Sequence, residues 1–237
     1  MTDKIFYFIM VPMVYLAFAW LIVGAIVRAV KILRAPPHPH GLKLFPARGP
    51  AGPAAALEAF AMPAIFRRNK PFWAFLIAFH AAFLMLIVAH IDLFEGVAIL
   101  PEDSKHMIGN GAVGATLLAA IVFFLVRRFK SPTREVSVPA DFLLLFLLFC
   151  IVMSGDIISW GNSWGPDGFV ITKQDFGAYL KGLAKFTFAD PREILYGSHY
   201  VVAVVHVFLA NVFLMVLPFS KVMHTFFAVP LNRLRRA

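Results

Sequence analysis

Long apolar blocks alternate with short polar connections along the chain. The blocks cover roughly Ile5–Val27, Phe72–Ile91, Ala112–Val126, Phe142–Trp160 and Tyr200–Leu217, and the last has an apolar continuation past Pro218 toward Ala228. Their lengths are those of segments that cross the hydrocarbon core of a bilayer, for which a helix needs about 20 residues. The pattern predicts an all-α integral membrane protein with five transmembrane helices, one domain over residues 1–237. The first block is too long for the core of a secretory signal. It has no basic segment before it and no clear small-residue cleavage site after it, and reads as a retained helix.

Two connections have their own character. Segment 35–64 contains Pro36, Pro37, Pro39, Pro46, Pro50, Pro53 and Pro63 among many Gly and Ala, a Pro/Gly/Ala-rich loop that favours extended or irregular backbone and reads as a linker. Segment 161–196 carries Phe176, Tyr179, Leu180, Leu183 and Phe186 at helical spacing. Asp175 is placed to cap this run, with Lys181 and Lys185 facing elsewhere. The spacing predicts a short helix lying on the membrane surface. No internal repeat is evident.

Charge gives the helices a direction. Of 22 basic residues, 16 fall on one side: Arg28, Lys31, Arg34, Lys43, Arg48, Arg67, Arg68 and Lys70 after the first span; Arg127, Arg128, Lys130 and Arg134 after the third; Lys221, Arg233, Arg235 and Arg236 after the fifth. Only Glu58, Glu135 and Asp141 among the 13 acids accompany them. Lys and Arg beside spans are retained on the cytoplasmic face, so the N-terminus is expected outside and the C-terminus in the cytoplasm of a bacterial or archaeal cell, with the chain multi-pass in its cytoplasmic membrane.

Composition agrees with this reading. Hydrophobic residues make up 60% and charged residues 15%, with 26 Phe and a mean hydropathy of +0.79, which excludes an ordinary soluble domain. The net charge of +9 lies between apolar blocks and in no nucleic-acid-binding motif, so no nucleic-acid partner is expected. A lone Cys150 excludes an internal disulfide, an all-cysteine iron–sulfur site, a Cys-x-x-Cys-His haem attachment and a cysteine zinc site.

That leaves histidine as the candidate ligand. His80 and His90 lie in the second span, His206 in the fifth, His199 at its outer entrance and His224 beyond Pro218; His38, His40 and His106 belong to connections. Ionisable side chains at membrane depth are costly and point to function. A bis-histidine b-type haem needs one imidazole from each of two facing helices, and two stacked haems need two such pairs at different depths. Spans two and five run antiparallel and carry the required residues. His80 and His90, ten residues apart, stand about 15 Å apart along a helix, a plausible stacking distance. Straight-helix depths favour His90 with His199 and His80 with His206, although a kink at Pro218 and helix tilt shift such heights by several Å.

Histidines ten apart in the second helix and 18 apart in the fifth, within five spans and with the N-terminus outside, resemble the gamma-subunit family of respiratory nitrate reductase. The run Pro218-Phe219-Ser220-Lys221-Val222-Met223-His224 and Ser154-Gly155-Asp156 are similar to relatives in sulfate-reducer and heterodisulfide-reductase-type membrane complexes. The resemblance implies a di-haem cytochrome b, the electron-transfer subunit of an oxidoreductase complex. Two haem b would be held by His80 with His224 at the inner side and His90 with His206 at the outer. It also implies menaquinone or ubiquinone as substrate, a cytoplasmic iron–sulfur redox subunit and other membrane subunits as partners, and possible contact with a periplasmic multihaem cytochrome c. The long Pro-rich inner loop departs from the family pattern.

Further residues join this expectation. Arg67, Arg68, Lys70 and Lys221 read first as snorkelling to lipid phosphate, with contact to inner haem propionates as the alternative. Asp156, Asp92 and Lys105 lie where a quinol proton could be exchanged, or where interfacial charge is simply solvated. Gly155 would allow a close approach, and Gly109, Gly111 and Gly114 are expected to serve helix packing. Trp20, Trp73, Trp160 and Trp164 read as interface anchors. A haem-free membrane anchor is the competing function. A proton or solute transporter is disfavoured by the absence of repeated halves.

Overall fold

The computed structural model describes residues 2–34, 51–94, 97, 99, 111–164, 173–195, 200–224 and 227–229, without the side chains of residues 51, 162–164 and 173. Its main helices are α1 (Thr2–Met10), α2 (Pro12–Leu33), α3 (Ala51–Phe60), α4 (Pro63–Arg68), α5 (Lys70–Ile91), α6 (Ala112–Arg128), α7 (Pro139–Trp164), α8 (Lys173–Ala184) and α9 (Tyr200–Val216). No strand occurs among the described residues. Four helical stretches there are long and apolar enough to cross a membrane: Thr2–Leu33, Lys70–Ile91, Pro139–Gly161 and Tyr200–Phe219. The third expected span is α6, shorter at 17 residues.

Two of the expected spans are broken, each at a proline. Pro12 has no N–H to continue the ladder, and α1 gives way to α2 at Val11. Neighbouring side chains take up carbonyls at the break: the Tyr179 hydroxyl donates to Met10 O at 2.6 Å and Asn211 Nδ2 to Ile9 O at 3.1 Å. Burial pushes the Tyr179 hydroxyl pKa up, which keeps it a donor. Pro218 does the same at the other end, where the expected continuation toward Ala228 is interrupted, with residues 227–229 again helical. α9 stops at Val216 in a 3₁₀ turn, Leu217–Phe219, followed by extended Ser220 and a second turn, Lys221–Met223. Trp20 Nε1 donates to Met215 O at 3.1 Å, and an Arg28 guanidinium nitrogen to Pro218 O at 2.7 Å. Trp73 Nε1 likewise donates to Ala61 O at 2.8 Å. Trp20 and Trp73 therefore spend their indole N–H groups on internal carbonyls, where interface anchoring is expected from the sequence.

The helices pack in an arc: α2 on α9, α9 on α7, α7 on α6 and α6 on α5. Leu117, Ala120 and Ile121 of α6 are fully buried, with Leu145, Leu148 and Val152 of α7 and Phe213 of α9 around them. Phe75 of α5 stacks on Phe123 of α6 with ring centres 4.1 Å apart. Helix α5 fully buries only Ala82, while Phe79, Phe83, Met85 and Leu86 are partly buried against the core.

One expectation needs correction. Residues 35–50 lie outside the described residues, but 51–60 and 63–68 are helical where irregular backbone is predicted. The Ala-rich run after Pro53 has high helix propensity, and both Pro53 and Pro63 sit in first turns, where proline is tolerated. The predicted surface helix is α8. It packs Phe176, Tyr179, Leu180 and Leu183 on the α1–α2 junction and the start of α9, while Phe186 stacks on Tyr15 with centres 5.2 Å apart.

Candidate functional site

Helix α5 places His80 and His90 on the side facing α9. The His80 ring centre lies 6.0 Å from that of His224, with the planes 77° apart, and the His90 centre lies 6.3 Å from that of His206, with the planes 16° apart. The rings that meet are therefore His80 with His224 and His90 with His206. Straight-helix depths pair His80 with His206 and leave His224 apart; in the structure His206 lies beside His90, and the turns after Pro218 bring His224 to His80. His199, His38, His40 and His106 lie outside the described residues.

All four rings are oriented by the same device. His80 Nδ1 lies 2.7 Å from Leu76 O, His90 Nδ1 2.6 Å from Leu86 O, His206 Nδ1 3.1 Å from Ile151 O, and His224 Nδ1 2.9 Å from Lys221 O. A carbonyl oxygen only accepts, so each Nδ1 carries a proton, and in the neutral ring this leaves the lone pair on Nε2. Ligating histidines are held this way, with one nitrogen fixed on an acceptor and the other free for the metal. An iron between two imidazoles, with metal–nitrogen bonds of about 2.0 Å and each nitrogen about 1.1 Å from its ring centre, sets the centres about 6 Å apart. Both pairs have that spacing. Two nitrogens per iron suit a haem, whose macrocycle fills the remaining positions, and no group of three or more His, Cys, Asp or Glu that could hold a bare metal ion occurs among the described residues.

The surroundings of the pairs differ. Beside His206, a Cβ on Gly155 would come within 3.2 Å of Cε1, so the glycine lets the ring lie against α7. Ser154, 6% exposed, donates from Oγ to Ile151 O at 2.8 Å and accepts from His206 Nδ1 at 3.1 Å. Near His224, Lys221 Nζ lies 2.8 Å from both carboxylate oxygens of Asp141. Lys221 is thus engaged with a carboxylate, where lipid phosphate or a propionate is the sequence expectation. Lys70 Nζ lies 5.6 Å from the Phe66 ring centre. Arg67 and Arg68 close α4.

Asp156 and Asp92 are buried, at 5% exposure each, which excludes the solvated-charge reading for both. Asp92 Oδ1 accepts from Ile99 N at 2.9 Å. Asp156 packs on Gly114, and its Oδ2 has no hydrogen-bond partner. Gly111 accommodates the Trp160 indole in the same manner. Lys105 and Gly109 lie outside the described residues. The roles of Ser154 and Asp141 beside the histidines are absent from the sequence reading; their signal is a small polar and an acidic residue set at the middle and the edge of one apolar block.

A bundle of long apolar helices with two bis-imidazole pairs, one between α5 and α9 and one between α5 and the turn after α9, has the design of a membrane cytochrome b. The sequence profile of the nitrate reductase gamma subunit family matches residues 64–237. The chain belongs to that family. Among its curated relatives, the Hdr-like menaquinol oxidoreductase cytochrome b-like subunit of Archaeoglobus profundus is 28% identical over 173 residues, covering 64% of this chain and 46% of the relative. The protein of the same name from Archaeoglobus fulgidus is 29% identical over 169 residues, with the same two coverages of 64% and 46%. The chain thus spans about half the length of these relatives. It is a cytochrome b-like, multi-pass membrane protein.

Proposed function

We propose that the chain is the di-haem b subunit of a respiratory redox complex, with one haem between His80 and His224 and the second between His90 and His206. The observation that carries this reading is the pair of ring spacings, 6.0 and 6.3 Å, combined with four Nδ1 atoms committed to carbonyl oxygens. When bound, the haems supply one-electron transfer between menaquinol, the substrate in both relatives' names, and an iron–sulfur partner subunit. The chain's own residues fix the imidazole tautomers and hold the rings at two depths, with His206 half-buried against α7 and His80, His90 and His224 exposed. Other membrane subunits and a periplasmic multihaem cytochrome c are further partners in this proposal.

The proposed topology counts α6 as a fifth span, with the N-terminus outside and the C-terminus in the cytoplasm, from the 16 of 22 basic residues on one side. His80 and His224 are then the inner pair, and His90 and His206 the outer pair, in the cytoplasmic membrane. Visible spectra of the purified chain, oxidised and dithionite-reduced, test the cofactor: b-type bands are expected, and a featureless spectrum overturns the reading. A reporter fused after Ala237 tests the topology. It should be active only in a cytoplasmic form, and activity of an exported form would invert every inner and outer label.

A further inference from the structure

Resting on the inner haem at His80 and His224, we propose that Asp141 is a positioning residue for His224, acting through Lys221 across the start of α7. His224 caps the Lys221–Met223 turn and donates its Nδ1 proton to Lys221 O, so the direction of its ring follows that turn. The turn is held to the bundle by buried Met223 on its apolar side and by the Lys221 ammonium on its polar side, 2.8 Å from both oxygens of Asp141.

Asp141 is itself fixed. It is 4% exposed, accepts from Val138 N at 3.2 Å, and is met at 3.2 Å by Arg128 at the end of α6, which also donates to Ser137 Oγ at 3.1 Å. An ion pair between two exposed groups would be worth little. Here the carboxylate is buried among fixed donors, so the ammonium is drawn to one place. The arrangement joins the ends of three elements, α6, α7 and the turn after α9, at the residue that carries an axial ligand. The outer pair has no counterpart to it, since His206 sits within a continuous helix.

The angle between axial imidazole planes governs the magnetic anisotropy of low-spin ferric haem, which makes the tether visible. Planes near perpendicular, as at 77°, give a single feature at large g, whereas planes near parallel, as at 16°, give a rhombic signal. The test is frozen-solution electron paramagnetic resonance of the oxidised full chain, alongside redox titration, for Lys221→Met, Lys221→Arg and Asp141→Asn. Lys221→Met removes the tether and leaves Asp141 with Arg128 and Val138, so the fold is retained. It should shift or broaden the large-g feature and leave the rhombic signal in place. Lys221→Arg should restore the feature, and Asp141→Asn should move it as Lys221→Met does.

A purely electrostatic influence would instead move the inner midpoint potential in opposite directions in Lys221→Met and Asp141→Asn and leave the g values alone, which would overturn the proposal. An unchanged feature in Lys221→Met, or equal disturbance of both signals, would overturn it too. Should Asp141→Asn fail to assemble, the two Lys221 variants decide. His80→Ala separates the levels: it should abolish the large-g feature, and if it does not, the haem assignment itself falls.

Discussion

The two histidine pairs share one partner helix and one hydrogen-bonding device, yet they are built differently. Each takes its first ring from α5, where His80 and His90 donate to the carbonyls of Leu76 and Leu86 one turn earlier. The outer pair takes its second ring from the middle of α9, against Gly155 and Ser154 of α7. The inner pair takes its second ring from a turn that exists because Pro218 ended the helix. One seat therefore depends on small residues at a helix–helix contact, and the other on a buried carboxylate that fixes a non-helical segment. The ring planes of the two pairs differ as well, 16° against 77°.

The largest expected effects come from removing ligands. His206→Ala should abolish the outer haem alone and His224→Ala the inner alone, each taking the haem count from two to one, whereas His199→Ala should keep both. Loss of the outer haem in His199→Ala with a silent His224→Ala would reverse the pairing. A smaller loss is expected from Gly155→Val. Its Cβ would lie 3.2 Å from His206 Cε1 and its methyl groups closer, so the ring must turn away. Reduced outer-haem occupancy with the inner haem intact, read from the reduced spectrum, supports the contrast; equal loss of both breaks it.

Tyr179→Phe should leave both haem spectra intact and lower the thermal midpoint. It strands the Met10 carbonyl at the α1–α2 break, at a cost of about 1–3 kcal/mol. The smallest effect is expected from Ser154→Ala, which removes one of two acceptors of the His206 Nδ1 proton while Ile151 O remains. The weaker hydrogen bond makes His206 a less basic ligand, so the outer midpoint potential should rise by the equivalent of about 0.5–1.5 kcal/mol, with the inner one unmoved.

Much of this could be read from residue order alone. The apolar blocks marked the main helices to within a few residues, because lipid imposes one backbone solution on any long apolar segment. The spacing of His80 and His90 showed that two depths were available. Depth counted along a straight helix then failed at His224, since a proline's effect on helix direction depends on what caps the freed carbonyls. In this chain Arg28 and Trp20, almost 200 residues earlier in the sequence, supply those donors. The break at Pro12 has no local signal for a related reason: its neighbours are as apolar as the rest of the block, and the residues that stabilise the break, Tyr179 and Asn211, come from distant elements. Within segment 35–64, the helix Ala51–Phe60 forms because proline position within a first turn, rather than proline count, decides the conformation. The Asp141 network joins three separate stretches of chain, so the acid at the edge of its apolar block does not reveal the partners that meet it.

The most direct test of the central claim is an alkaline pyridine haemochrome count per chain on the purified protein and on its His90→Ala variant. The account predicts two b haems in the first and one in the second. No haem in the intact protein, or an unchanged count after removal of His90, would contradict it.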